Sequence, residues 1–203
     1  MNNLELKDPE NVRLSNIVDM GLTFSAMIRL YKKGSKITLH KEIVRILPEI
    51  AKADSFKRFQ KTHHQFCAWG MDKLSLAEKK RQGRIIKNSG PPGYGQVAKT
   101  LDVVLKVVIY YSKWPDEPTS ERIAKYINAA VDTKMMAFLK SYDPDHIEHW
   151  PVTVENVSQS IYISMQKLVR QFITDEHQGQ IMPVQFDDLY WNFLNRKNGG
   201  RLG

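Results

Sequence analysis

A chain of 203 residues is long enough for one sizeable hydrophobic core or for two small helical lobes. Its 30 Lys and Arg residues against 22 Asp and Glu residues give a net charge of +8, which attracts phosphate backbones but does not prove a nucleic-acid partner. The single cysteine, Cys67, excludes an internal disulfide framework, a cysteine-ligated zinc site and a four-cysteine iron–sulfur cluster.

The hydropathy pattern indicates neither a membrane span nor a signal sequence. No apolar run reaches the length of a transmembrane helix, and the N-terminus is polar and charged rather than signal-like. We therefore expect no membrane partner and a cytoplasmic protein, associated with the nucleoid if the source is prokaryotic.

Apolar periodicity predicts helices from one end of the chain to the other. Pro48 is expected to close the second helix, and Ser55 to cap the third. Before the C-terminal segment, the expected helices are a first from about Val12 to Leu30, a second from about Leu39 to Leu47, a third that carries Phe56, Phe59 and Phe66, one from Glu121 to Ala130, and an amphipathic one from Val154 to Phe172.

The run from Val103 to Tyr111 is rich in β-branched residues and by propensity alone would suit a strand. Its length and its polar positions favour a helix instead. Lys99, Lys106 and Lys113 recur every seven residues, which nearly closes two helical turns and places them on one stripe. We predict a central, mostly apolar helix with one polar edge.

Three short segments carry possible chemistry. In the first, a turn-rich stretch that ends at Gly95 leads into an apolar helix with Lys99 and Thr100 near its start. In the second, Asp132 follows Val131 at the expected start of another helix. The third is the C-terminal run 182–191, which reads Met-Pro-Val-Gln-Phe-Asp-Asp-Leu-Tyr-Trp.

Together these segments resemble the helix-hairpin-helix DNA glycosylases, whose hairpin reads roughly G-V-G-x-K-T-A-x-x-x-L and whose partner segment reads V-D-T or V-D-V. The separation of Lys99 and Asp132, 33 residues (132 − 99), is similar to that in the archaeal 8-oxoguanine glycosylases. The C-terminal run resembles their P-x-H-L-D-x-x-L-W pattern. Departures from the patterns are Val97 for the second hairpin glycine, Leu101 for the alanine and Gln185 for the histidine.

The resemblance implies an all-α protein of two helical lobes with a cleft between them. One glycosylase-like unit would span residues 1–203, with the hairpin and catalytic helix at about 88–114. The implied activity is that of a DNA glycosylase and abasic-site lyase that excises an oxidised purine, with 8-oxoguanine the favoured base. The implied partner is damaged double-stranded DNA, bound by a monomer that needs no cofactor and no metal.

The resemblance also implies roles for individual residues. Lys99 would be the nucleophile, its pKa lowered by burial and by the nearby Lys106, and Asp132 the catalytic carboxylate. Lys106, Asp187 and Trp191 would hold the flipped base. Contacts to the DNA backbone are expected from free N–H groups in the turn and from a basic run, at Gly93, Gly95, Gln96, Lys79, Lys80, Arg81 and Arg84.

Each of these residues also has a structural interpretation that needs no chemistry. Asp132 would also serve as an N-cap, and Trp191 would also fit the hydrophobic core. Lys99, Asp102 and Lys106 would also fit the solvated edge of a helix. His146 and His149 suggest a metal-binding site, but the sequence shows no third ligand. Two other functions therefore stay open: a non-catalytic helical DNA- or RNA-binding module, and a helical protein-interaction or defence-associated factor.

Overall fold

The computed structural model describes residues 8–82, 84–143 and 150–197, and most of these are helical. The α-helices are α1 Pro9–Phe24, α2 Lys33–Ala51, α3 Phe56–Lys73, α4 Tyr94–Leu105, α5 Glu117–Ala124, α6 Thr133–Tyr142, α7 Gln159–His177 and α8 Pro183–Lys197. Ala26–Leu30 and Val154–Asn156 form 3₁₀ turns, and Lys106–Tyr111 continues α4 as a π-helical segment. The predicted all-α class is confirmed in this coarse sense.

A β-hairpin is the main departure from the prediction of helices throughout. β1 Lys79–Arg81 pairs antiparallel with β2 Arg84–Lys87. Gln82 lies in the turn between the strands with a φ of 50°. Because this residue is a glutamine and not an asparagine or aspartate, the sequence lacks the Asn-Gly or Asp-Gly pair that predicts such a turn. This sheet and an extended loop separate α3 from α4, so the two helices are not joined directly by a short hairpin.

Several helix boundaries also differ from those predicted. α1 stops at Phe24 because Ser25 is extended, so the predicted first helix is divided in two. Pro48 lies inside α2 rather than after it, and the last turn of α2 still forms because Ile50 is fully buried against the core. The predicted cap of α3 is confirmed, since Ser55 Oγ accepts a hydrogen bond from Arg58 N.

Helix α4 is central, as predicted. Its Leu101, Val104 and Leu105 are fully buried in one hydrophobic cluster to which every α-helix contributes. Two neighbours approach it closely through glycines. A Cβ on Gly21 of α1 would lie 3.1 Å from Val104 Cα, and one on Gly70 of α3 would lie 2.5 Å from a Val97 methyl.

The polar stripe is shorter than predicted. Beyond α4 the π-helical segment changes the helical register, as shown by the hydrogen bond from Ser112 N to Val107 O. Lys113 then has a φ of 54° and lies past the helix, so it does not continue the line of Lys99 and Lys106. Within the described ranges, no helix combines the length and apolar character needed to cross a bilayer.

Candidate active site

A cavity of about 540 Å³ lies where the end of α1, the central α4 and its π-helical extension, the start of α6 and the start of α8 meet. Apolar side chains, among them Val103, Val107 and Met135, form much of its wall. Its charged lining consists of Lys99, Lys106, Asp132, Asp187 and Asp188. The fold thus brings four of the five predicted catalytic and base-binding residues into one cavity.

Lys99 lies on the first turns of α4, with its side chain only 14% exposed. Its Nζ is 3.8 Å from Asp132 Oδ2, so the predicted proximity of the two groups is observed. Burial lowers the pKa of Lys99 below its ordinary 10.5, although Asp132 and Asp187 both oppose that shift. Lys106, expected to contribute, is not among the causes. A buried amine of this kind is deprotonated more readily than a surface lysine.

Asp132 uses its two carboxylate oxygens for different purposes. Oδ1 caps α6 by accepting hydrogen bonds from Lys134 N at 2.9 Å and Met135 N at 3.0 Å. Oδ2 lies 3.8 Å from Lys99 Nζ in the cavity. The capping interpretation is therefore correct, but the cap occupies one oxygen and leaves the other available to the cavity.

Lys106 faces the cavity from the start of the π-helical segment and is paired with two carboxylates. Its Nζ donates to Asp187 Oδ2 at 2.9 Å and to Asp188 Oδ1 at 2.5 Å. Tyr111 in turn donates its hydroxyl to Asp188 Oδ2 at 2.7 Å. Since Lys106 is 8% exposed and Asp102 is fully buried, the solvated-edge interpretation of this helix face is wrong.

Asp187 has the least exposed side chain of the three carboxylates that line the cavity. Burial raises its pKa to about 6 even though Lys106 opposes the shift. Its Oδ1 is buried and has no hydrogen-bond partner within the part of the chain that the structure describes. A buried unpaired acceptor is costly, so Asp187 Oδ1 is suited to accept a hydrogen bond from a molecule in the cavity, whether water or ligand.

Two exposed aromatic residues on the cavity wall were missed by the sequence reasoning. Phe24 is 67% exposed at the end of α1, and Tyr111 is 54% exposed at the end of the π-helical segment. Phe24 lies within the predicted first helix, and apolar spacing along a helix does not show which of its residues stay exposed. These rings present apolar faces that a planar ligand can stack against.

A buried polar network joins α4 to the neighbouring helices. Asp102 accepts hydrogen bonds from His63 Nε2 at 2.9 Å and from the Tyr162 hydroxyl at 2.7 Å, which ties α4 to α3 and α7. Burial by itself would lower the pKa of His63, but Cys67 and Asp102 outweigh it and raise the pKa to about 10. This network fixes the helix on which Lys99 lies.

The start of α4 does not offer the expected N–H groups to a phosphate. Gly93 N donates to the Gln96 side chain, Gly95 N to Val157 O, and Gln96 N to Gly93 O. A Cβ on Gly93 would meet Glu155 O at 2.1 Å, and one on Gly95 would meet Val154 O at 2.4 Å. The expectation of free N–H groups is wrong for Gly93, Gly95 and Gln96, because Gly93 and Gln96 bond to each other and Gly95 bonds to the 154–157 turn.

The remaining predicted residues are only partly described. Lys79 and Arg84 are exposed on the hairpin. The side chains of Lys80, Arg81 and Trp191, and the segment that holds His146 and His149, lie outside the described residues.

Comparisons with families of known proteins, with characterised proteins and with solved structures gave no match to this chain. The resemblance to glycosylases therefore depends on the three sequence motifs alone.

Proposed function

We propose that this protein is a DNA glycosylase and abasic-site lyase that removes an oxidised purine, with 8-oxoguanine the favoured base, through a Schiff base on Lys99. The observation that carries the proposal is the pair of Lys99 and Asp132 in one cavity, with the pKa of the amine lowered by burial. In the proposal, a cytoplasmic monomer acts on damaged double-stranded DNA, and the residues of the chain supply the chemistry without a cofactor.

In the first step, the neutral amine of Lys99 attacks the sugar C1′ of a nucleotide that has left the base stack. A bond forms between Nζ and C1′ as the bond from C1′ to the base breaks. The electron pair of the broken bond leaves with the base, which takes up a proton from solvent. Asp132 Oδ2, 3.8 Å from Nζ, is suited to accept the proton that the attacking amine loses.

In the second step, the C1′–O4′ bond breaks, O4′ takes up the proton that Asp132 accepted, and a carbon–nitrogen double bond forms at C1′, which leaves Asp132 as a carboxylate again. This Schiff base acidifies C2′, so loss of a C2′ proton breaks the C3′–O bond and nicks the strand. The carboxylate of Asp132 stabilises the positive charge that develops at the sugar. Because one oxygen is held by the α6 cap, the other is kept in position toward that charge.

The cavity provides features that suit a flipped purine. Its volume of about 540 Å³ falls in the range of roughly 300–1,000 Å³ that is usual for small-ligand sites. Asp187 Oδ1 supplies an unpaired acceptor for a ring N–H group. Phe24 and Tyr111 supply stacking faces at the wall, in addition to the role that we propose for Trp191.

Borohydride trapping tests the proposal directly. The protein is incubated with a duplex that contains one 8-oxoguanine, or one abasic site, and with sodium borohydride. We expect a covalent protein–DNA adduct with the unaltered chain and none with Lys99→Gln. Lys113→Gln serves as the matched control, because Lys113 is exposed and lies past the same helix. An adduct that survives Lys99→Gln would exclude Lys99 as the nucleophile.

The second candidate is a non-catalytic helical DNA- or RNA-binding module. The net charge of +8 and the exposed basic hairpin favour it independently of the cavity. It predicts binding to nucleic acid with no adduct on any damaged or abasic duplex.

A further inference from the structure

The central helix changes its geometry at the cavity. In the π-helical segment Lys106–Tyr111, hydrogen bonds join residues five apart, and Ser112 N continues this pattern to Val107 O at 2.9 Å. In an α-helix, Tyr111 would lie about 140° around the axis from Lys106, because five steps of about 100° exceed one turn by that angle. Here the two side chains instead share a face, and Lys106 Nζ lies 5.6 Å from the centroid of the Tyr111 ring. The π-helical geometry thus brings Tyr111 to the cavity that Lys106 also lines.

Asp188, near the start of α8, joins these two side chains. Its Oδ1 accepts a hydrogen bond from Lys106 Nζ at 2.5 Å, and its Oδ2 accepts one from the Tyr111 hydroxyl at 2.7 Å. Each carboxylate oxygen therefore has a different donor, and both donors belong to the π-helical segment. Burial raises the pKa of Tyr111 above its ordinary 10, and the hydrogen bond to Asp188 and the charge of Asp188 raise it further. The Tyr111 hydroxyl thus stays protonated, as a donor must.

The two neighbouring aspartates differ in what they offer to the cavity. Asp187 Oδ2 accepts from Lys106 Nζ at 2.9 Å, but Asp187 Oδ1 has no partner among the residues that the structure describes. Asp188 has a partner on each oxygen, and its side chain is 38% exposed. Asp187 is therefore suited to contact a ligand directly, whereas Asp188 is suited to hold other side chains in place.

The Tyr111 ring is fixed at the cavity wall and yet remains open to a ligand. Its hydroxyl is bound by Asp188, the Lys106 ammonium lies over the ring, and the centroid of the Tyr110 ring is 5.2 Å away. Tyr111 is nevertheless 54% exposed. Because the ordering of a free side chain on binding reduces affinity, a ring that is held beforehand is a better stacking surface than a mobile one.

A structural tie between α8 and the π-helical segment does not require a residue in the cavity. Tyr110 provides such a tie, because its hydroxyl accepts a hydrogen bond from Gln185 Nε2 of α8 at 3.0 Å and Tyr110 does not line the cavity. The adjacent Tyr111 makes the same kind of contact with α8, but on the cavity wall. The two tyrosines therefore form a matched pair in which only one hydroxyl is linked to the cavity.

We propose that Asp188 is a positioning residue, which joins Lys106 to Tyr111 and thereby fixes the Tyr111 ring as a stacking wall for the base that enters the cavity. The identity of the ligand as a flipped purine rests on the proposed function. In this role Asp188 does not touch the base, so its contribution to binding passes through Tyr111. The role is separate from that of Asp187, the only one of the two aspartates to which the sequence motif assigned a contact with the base.

Binding measurements test this role. Affinities are compared for an undamaged duplex and for a duplex with one 8-oxoguanine nucleotide, which carries a 2′-fluoro group so that its base is not released. Asp188→Ala removes the bridge, Tyr111→Phe keeps the ring but loses the bond to Asp188, and the control Tyr110→Phe loses only the bond from Gln185. Since a stacked base contributes at least about a fivefold gain in affinity, we expect the first two variants to weaken binding of the damaged duplex by roughly that factor. Binding of the undamaged duplex should be unchanged, and the control should match the unaltered chain on both duplexes.

A double-variant comparison tests whether Asp188 acts through Tyr111. Tyr111→Ala removes the ring and should weaken binding of the damaged duplex at least as much as Asp188→Ala does. In the Tyr111→Ala background, Asp188→Ala should cause no further loss, because the ring that Asp188 positions is already absent. An equal loss from Asp188→Ala in both backgrounds would overturn the proposal. Parallel losses on damaged and undamaged duplex in both Asp188→Ala and Tyr111→Phe would also overturn it, because they would indicate a role in folding.

Borohydride trapping of the unaltered chain on abasic duplex keeps this proposal distinguishable from the proposed function. If no adduct forms but Asp188→Ala loses affinity for the damaged duplex alone, the proposed enzyme activity fails and the positioning role stands. If an adduct forms but Asp188→Ala binds the damaged duplex as tightly as the unaltered chain does, the positioning role fails and the proposed function stands.

Discussion

Asp132 Oδ2 lies 3.8 Å from Lys99 Nζ while Oδ1 of the same carboxylate caps α6. The Asp132 side chain therefore caps the start of α6 and also faces the Lys99 amine on α4. This arrangement makes the structural and the chemical role of Asp132 separable by substitution, because an amide oxygen can also serve as a cap but carries no charge.

Asp132→Asn should preserve the cap and remove the carboxylate. We expect a melting temperature close to that of the unaltered chain and a loss of base release of roughly 10²-fold or more, as for other proton-transfer groups. Asp132→Ala should lose the same activity and also about 1 kcal/mol of the free energy of unfolding. Thermal melts and single-turnover base release measure the two effects. A fully active Asn variant would mean that Asp132 is only a cap.

The pH dependence of trapping should reveal the environment of Lys99. Because burial lowers its pKa, the neutral amine should become available at a pH below the ordinary value of 10.5. Adduct formation on abasic duplex should therefore rise with pH, with its midpoint below 10.5. Asp132→Asn should shift this midpoint further down, since Asp132 raises the pKa of Lys99. A midpoint at or above 10.5 would contradict the buried position.

Asp187 should make stability depend on pH in the acidic range. Its pKa in the folded protein is about 6, against an ordinary value of 3.8. The folded state thus binds the proton more tightly, so this contribution is fully present below pH 3.8 and is lost as the pH rises through 6. Chemical denaturation of the unaltered chain and of Asp187→Asn, compared between pH 4 and 7, should show a smaller loss of stability with rising pH in the variant, in which the buried Asp102 still contributes.

Phe24→Ala should weaken binding of the damaged base without lowering the stability of the fold. Phe24 is 67% exposed, so its truncation leaves the core intact. Loss of one stacking face should cost about 1–3 kcal/mol in binding of the damaged duplex and little for undamaged duplex. Met20→Ala on the same helix, at a residue that is 42% exposed and outside the cavity, is the control. Equal losses on both duplexes would contradict a stacking role.

Trp191→Ala should behave like Phe24→Ala if it holds the base. A change of about 1–3 kcal/mol confined to the damaged duplex would support that role. A core role would instead lower the melting temperature and weaken binding to both duplexes in parallel, and a melting curve of the variant decides between these outcomes.

The amino-acid sequence by itself determined the local features of this protein. Apolar spacing predicted the central helix, Ser55 indicated a helix start, and Lys99 and Asp132 were placed near the starts of two helices. Such features depend on neighbours within a few residues along the chain, which is why they can be read from it. Where local spacing was ambiguous, as at Ser25 and Pro48, the prediction of helix ends was wrong.

Only the tertiary structure decided what those residues face. The sequence gives no sign that Phe24 is exposed, that Asp187 is buried with an unpaired oxygen, or that Gly93 and Gly95 are covered by the 154–157 turn. The pKa of Lys99 likewise depends on burial and on carboxylates far away in the chain. The cavity joins segments from α1 to α8, and contacts between such distant segments leave no periodicity in the sequence, because they form only when the helices pack.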